Sequence, residues 1–139
     1  MSYKYYNPNP HGLSVGDCVV RAISKAMNTS WDKTYIELCI EGYLMKEFGD
    51  GNRVWDSYLR GCGFVRKVIP NTCPDCYTVR DFCYDNPYGV FILATGSHLI
   101  AVIHGDWYDS FDSADEVPIF YYKKLRWCRL KIKKEGGKL

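Results

Sequence analysis

Apolar residues along this chain recur first at helical and later at strand spacing, and the change falls near Gly89. In GDCVVRAISKAMN, residues Cys18, Val19, Ala22, Ile23, Ala26 and Met27 repeat as one helical face. Gly16 and Asp17 stand just before that run, a turn residue and an N-cap candidate, so a helix is expected over 17–28. Thr29 or Ser30 then caps a second helix, with Trp31, Tyr35, Leu38, Cys39 and Leu44 facing inward until Gly49 and Gly51 end it. A short third helix over 52–60 stops at Gly61 and Gly63, and 64–69 predicts a strand. After a loop at 70–77, Thr78 opens a short helix that turns Val79, Phe82 and Cys83 inward. Beyond Gly89 the pattern predicts strands at 90–95, 98–104, 107–111, 119–123 and 125–133, separated by turns containing Gly, Asp or Pro. The Pro-, Asn- and Tyr-rich residues 1–16 read as an extended arm. Helices first and antiparallel strands second is an α+β layout, and 139 residues suit a single domain.

That arrangement gives Cys18 a meaning its residue type alone does not. A thiol in the first turn of a helix meets unpaired N–H groups and the positive end of the macrodipole, which favour the thiolate. His98 follows 80 residues later at the opening of a strand, in GSHLIAVIHG. The segment that follows, WYDSFDS, carries Asp109 on the next strand and Asp112 just after it. A lone cysteine at a helix start is ordinarily a small buried hydrophobe. A helix-borne Cys, a strand-borne His and a carboxylate on the following strand are instead the order and setting of a cysteine-hydrolase triad.

The segments GDCVVRAIS and GSHLIAVIHGDWYDSFDS resemble the catalytic-cysteine helix and the histidine and acid strands of papain-like cysteine peptidases, closer to the C39-like branch than to papain. The chain is also similar to small phage and bacterial proteins with a DCVVRA-type helix followed by H-x-x-A-V-x-x-G-x-x-Y-D. The two segments cover under half of the chain. The resemblance implies a papain-like α+β fold, with N-terminal helices packed on a C-terminal antiparallel sheet. It implies Cys18 as nucleophile, His98 as general base and then acid, and a carboxylate that orients the imidazole. Asp109 matches the family-like Y-D step, and Asp112 is the alternative third member. In a regular strand the two point to opposite faces, so only one can serve. Papain-like enzymes place a Gln about six residues before the cysteine, where this chain has Gly12. Asn9 or Asn7 of the arm would then supply the side-chain oxyanion donor beside the Cys18 backbone N–H. The implied activity is hydrolysis of a peptide, isopeptide or related amide bond, on a peptide or protein substrate and without a cofactor. A small-molecule amidase or acyltransferase is a further option.

Cysteine count and charge bear on the alternatives. Seven cysteines, an odd number, without an apolar leader argue for reduced thiols and a cytoplasmic setting, that of the host if phage-encoded. Cys73 and Cys76 form a C-x-x-C, and with Cys62 and Cys83 would complete a four-thiolate zinc set. Cys83 also fits a helix face and Cys62 a Gly-Cys-Gly turn, so no metal is expected. His11 and His104 read as structural. The net charge of +2 conceals a polarised chain: residues 123–139 hold eight Lys or Arg against one Glu. This basic strand and tail would suit nucleic acid, but alternation over 126–133 equally reads as a protected edge strand. No apolar run reaches membrane-spanning length. The competing function is a non-catalytic interaction protein on the same fold, such as a phage-encoded binder of a host factor.

Overall fold

Val90–Ala94 and Leu99–Ile103 lack apolar–polar alternation because both of their faces are buried. The structure, a computed structural model, describes residues 1–125. Its elements in chain order are β1 (Tyr3–Tyr5), α1 (Cys18–Met27), α2 (Trp31–Met45), α3 (Asn52–Gly61), β2 (Phe64–Val68), α4 (Val79–Asp85), β3 (Val90–Ala94), β4 (Leu99–Ile103), β5 (Asp106–Asp109) and β6 (Phe120–Lys124). The six strands form one sheet in the order β1-β5-β4-β3-β6-β2. The α+β character expected from the pattern holds, with two corrections. The sheet is mixed, because the arm contributes β1, which runs parallel to β5. Helices also cover both faces, because β3 and β4 have apolar side chains on both.

Alternate residues of the central strands feed two cores. Ile92, Ala94, Leu99 and Ala101 pack with Ile23 of α1 and Leu59 of α3. Phe91, Leu93, Ile100 and Val102 pack with Val79, Phe82 and Cys83 of α4. Fully burying a side chain of this size contributes about 1.5–3 kcal/mol, so these paired strands anchor everything at their ends.

Ser30 caps α2 by accepting the Lys33 N–H at 3.0 Å, and Thr78 with Asp81 forms a capping box on α4. The inner face of α2 differs from the expected stripe: Thr34, Leu38 and Gly42 are buried, while Tyr35, Cys39 and Leu44 are exposed. Close backbone approach explains the change. The chain turns back at Lys46, so a Cβ on Gly42 would lie 2.6 Å from the Glu47 carbonyl oxygen. The helix docks through its smallest residue and turns larger ones outward.

Two tight turns position the later strands. The Thr95 N–H donates to the His98 carbonyl at 2.9 Å, closing the β3–β4 connection on Gly96 and Ser97. His104 and Gly105 both have positive φ, 51° and 80°, the geometry of a type I′ hairpin. That turn fixes the β4–β5 register as Ala101 opposite Tyr108 and Ile103 opposite Asp106. Asp109 is thereby returned to the end of the sheet where His98 enters β4. Lys123 and Lys124 lie in β6, whereas residues 126–133 of the strand expected at 125–133, and most of the basic segment, fall outside the described residues. Among the described residues no helix is long and apolar enough to cross a membrane.

Candidate active site

Three elements converge where α1 begins. Cys18 is the first residue of α1, His98 directly precedes β4, and Asp109 ends β5. His98 Nε2 lies 2.7 Å from Asp109 Oδ2. With Nε2 committed to the carboxylate, Nδ1 is the ring nitrogen left for the Cys18 thiol, and the two side chains shift each other's protonation. Phe111 lies against the imidazole with ring centroids 5.1 Å apart. Asp109 is fully buried, and its Oδ1 also accepts the Ser110 N–H at 2.8 Å. The arm braces the same residue: the Tyr6 N–H, just after β1, and the Tyr3 side-chain hydroxyl both donate to the Asp109 carbonyl.

Electrostatics sets Cys18 apart from Cys76 and Cys83, whose thiols are pushed upward. Burial alone would raise its pKa, but interaction with His98, the Leu99 backbone and the Arg21 charge together hold it below the ordinary thiol value. Cys83 provides the contrast: burial, with Asp106 nearby, pushes that thiol up to about 12. Burial would likewise lower His98, yet the hydrogen bond to Asp109 and contact with Cys18 raise it to about 9. Asp109, against the same burial, is held low by its hydrogen bond and charge interaction with His98 and by the Ser110 N–H. The lowered thiol and the raised imidazole both favour the thiolate–imidazolium form of the pair.

Sequence reasoning missed the residue beneath this pair. Arg21, buried on α1, donates to Asp17 Oδ1 at 2.7 Å and to Asp109 Oδ1 at 3.1 Å. Asp17 occupies the N-cap position but makes no side-chain cap; its second oxygen accepts the Trp31 indole N–H at 2.8 Å. A signal was present. Arg21 interrupts an apolar helical run four residues after Asp17, and a buried guanidinium requires a carboxylate partner.

Cys18 and His98 line a cleft of about 360 Å³ walled by Trp55, Phe120, Thr95 and Asn52. Asn52 Oδ1 accepts the Trp55 indole N–H at 3.2 Å. Since an indole N–H only donates, this bond fixes the amide orientation and leaves the Asn52 NH₂ as a donor group of the cleft wall. An apolar recess of about 470 Å³ adjoins the cleft and shares Gly16, Val19 and Asp50 with it.

The remaining candidates lie elsewhere. Asn9 lines a separate recess, and its Oδ1 accepts the His11 and Leu13 N–H groups at 2.8 and 3.4 Å, shaping the turn of the arm. Asn7 is tied to Leu13 and Asn9. Asp112 falls beyond the end of β5, so strand parity does not apply to it; it accepts the Trp107 indole N–H and the Ala114 N–H. Cys62 and Cys83 are buried in different cores, whereas Cys73 and Cys76 are exposed with their sulfurs 3.0 Å apart. The four thiols therefore do not converge. Among the described residues no group of three or more His, Cys, Asp or Glu is placed to hold a metal ion. No protein-family model, curated protein or solved structure matches this chain.

Proposed function

We propose that the protein is a cysteine-dependent hydrolase of the papain-like kind, acting on a peptide, isopeptide or related amide bond. The observation that carries this reading is the linked set Cys18–His98–Asp109, in which thiol and imidazole shift in opposite directions and the carboxylate holds the far ring nitrogen at 2.7 Å. The Cys18 thiolate attacks the carbonyl carbon, and the C=O electron pair moves onto oxygen. The Cys18 N–H, without an intrahelical partner at the start of α1, and the Asn52 amide are the donors available to that oxyanion. The C–N bond breaks as His98 gives its proton to the leaving amine. Water then attacks the thioester while His98 takes its proton, and the Cys18 thiolate is released. Asp109 keeps the imidazole oriented and stabilises its charged form throughout.

An activated ester tests this without knowledge of the natural substrate. N-acetyl-amino-acid p-nitrophenyl esters should give a burst of about one nitrophenolate per protein and an acyl adduct on Cys18, detected by peptide mass spectrometry. Cys18→Ala and His98→Ala should abolish both. Acylation spread equally over Cys39 and Cys18, or absent from Cys18, would refute the reading.

A binding role has its own supporting observation. Ile36, Ile40, Tyr43 and Leu44 on α2, and Phe48 beyond it, are exposed. Exposed apolar groups clustered on one helix are a feature of interaction surfaces. This is the basis for the alternative of an interaction protein.

A further inference from the structure

We infer that Arg21 is a positioning residue that sets the protonation of the Cys18–His98 pair, an inference that rests on the reading of that pair as a hydrolase centre. Arg21 is three residues along α1 from Cys18, so its guanidinium and the thiol belong to one rigid element. It spans two buried carboxylates, Asp17 at 2.7 Å and Asp109 at 3.1 Å. On Asp109 it takes Oδ1 and leaves Oδ2 for His98, so one carboxylate is divided between a permanent cation and a titratable one. Asp17 is itself fixed by Trp31 from α2, which prevents the guanidinium from turning wholly toward Asp109.

The consequence is a balance of charge. Arg21 favours the Cys18 thiolate directly and offsets part of the negative charge that Asp109 presents to His98. Asp17 moderates Arg21 in turn. A structural salt bridge needs only to hold α1 to β5. This one couples the end of β5, the start of α1 and α2 to a single proton equilibrium.

The test is the rate of Cys18 alkylation by iodoacetamide from pH 5 to 9, read by mass spectrometry, which needs no substrate. In Arg21→Met the acid limb moves to higher pH, and the rate at pH 6 falls about tenfold, the change that one unit of thiol pKa produces. In Asp17→Asn the limb moves the opposite way, because the guanidinium is left less compensated. Arg21→Lys retains the acid limb through its charge but loses plateau reactivity, since one ammonium does not reproduce the two-carboxylate fork. Folding of each variant is checked by thermal melting. Should Arg21→Met not fold, Asp17→Asn and Arg21→Lys still decide between the alternatives by direction. Profiles that superimpose on wild type, or that shift in the same direction for Arg21→Met and Asp17→Asn, would overturn the inference. A wild-type Cys18 with no depressed acid limb would instead refute the hydrolase reading itself.

Discussion

Asp109 and Asp112 stand three residues apart, yet their surroundings assign them different work. Asp109 is fully buried and holds His98 and Arg21, whereas Asp112 accepts the Trp107 indole and the Ala114 N–H. Asp109→Asn should lower ester turnover by about 10³- to 10⁴-fold, because an amide neither stabilises the imidazolium nor enforces its orientation. Asp112→Ala should leave turnover near wild type and cost about 1 kcal/mol in chemical denaturation through its lost hydrogen bonds. Equal turnover losses in both variants would contradict the assignment. The sequence made Cys18, His98 and Asp109 legible because each lies at a patterned helix or strand, with Asp112 legible as the next carboxylate after the expected 107–111 strand. It favoured Asp109 only through the Y-D resemblance, because the physical ground for the choice, β5 ending at Asp109, belongs to the fold. Asn52 was invisible for another reason: its relevance depends on α3 reaching the cleft and on the Trp55 indole orienting its amide.

At the scale of elements, local chemistry predicts most boundaries and tertiary approach overrides the rest. The Ser30 and Thr78 caps and the strand-to-turn transitions at Gly89 and Gly105 could be read directly, because capping and positive-φ demands are local. The inner face of α2 could not be read in this way. Its apolar residues suggested a Tyr35–Leu38–Cys39 stripe, but the returning chain at Glu47 and Gly49 crowds Gly42 and selects the Thr34–Leu38–Gly42 face. Gly42→Ala should therefore destabilise the protein by about 1–3 kcal/mol, the cost of overpacking against backbone that does not yield easily. An unchanged or raised denaturation midpoint would show that the α2 turn is not docked this way. The parallel pairing of β1 was equally hidden, since three residues of a Pro- and Asn-rich arm carry no pattern long enough to announce a strand.

For the molecule as a whole, the fold places a charged cluster where helix and sheet meet, and stability becomes linked to pH. His98 has its pKa raised to about 9 in the folded state, against about 6.5 when unfolded. Its contribution is therefore fully present below about pH 6.5 and lost as pH rises through about 9. Asp109 is depressed, so its contribution is present above the ordinary carboxylate value and lost as pH falls through the lower one. The Tm difference between wild type and His98→Gln should accordingly narrow between pH 7 and pH 10; a constant gap would show that His98 is not held as a cation. The central claim, that fold and sequence together poise one thiol out of seven, is tested most directly by iodoacetamide labelling across pH 5–9 with every cysteine quantified. Cys18 should label first, with an apparent pKa below the ~8.5 of a free thiol, and His98→Ala should move it back toward that value. Labelling of Cys18 no earlier than Cys39, and unchanged by His98→Ala, would contradict the account.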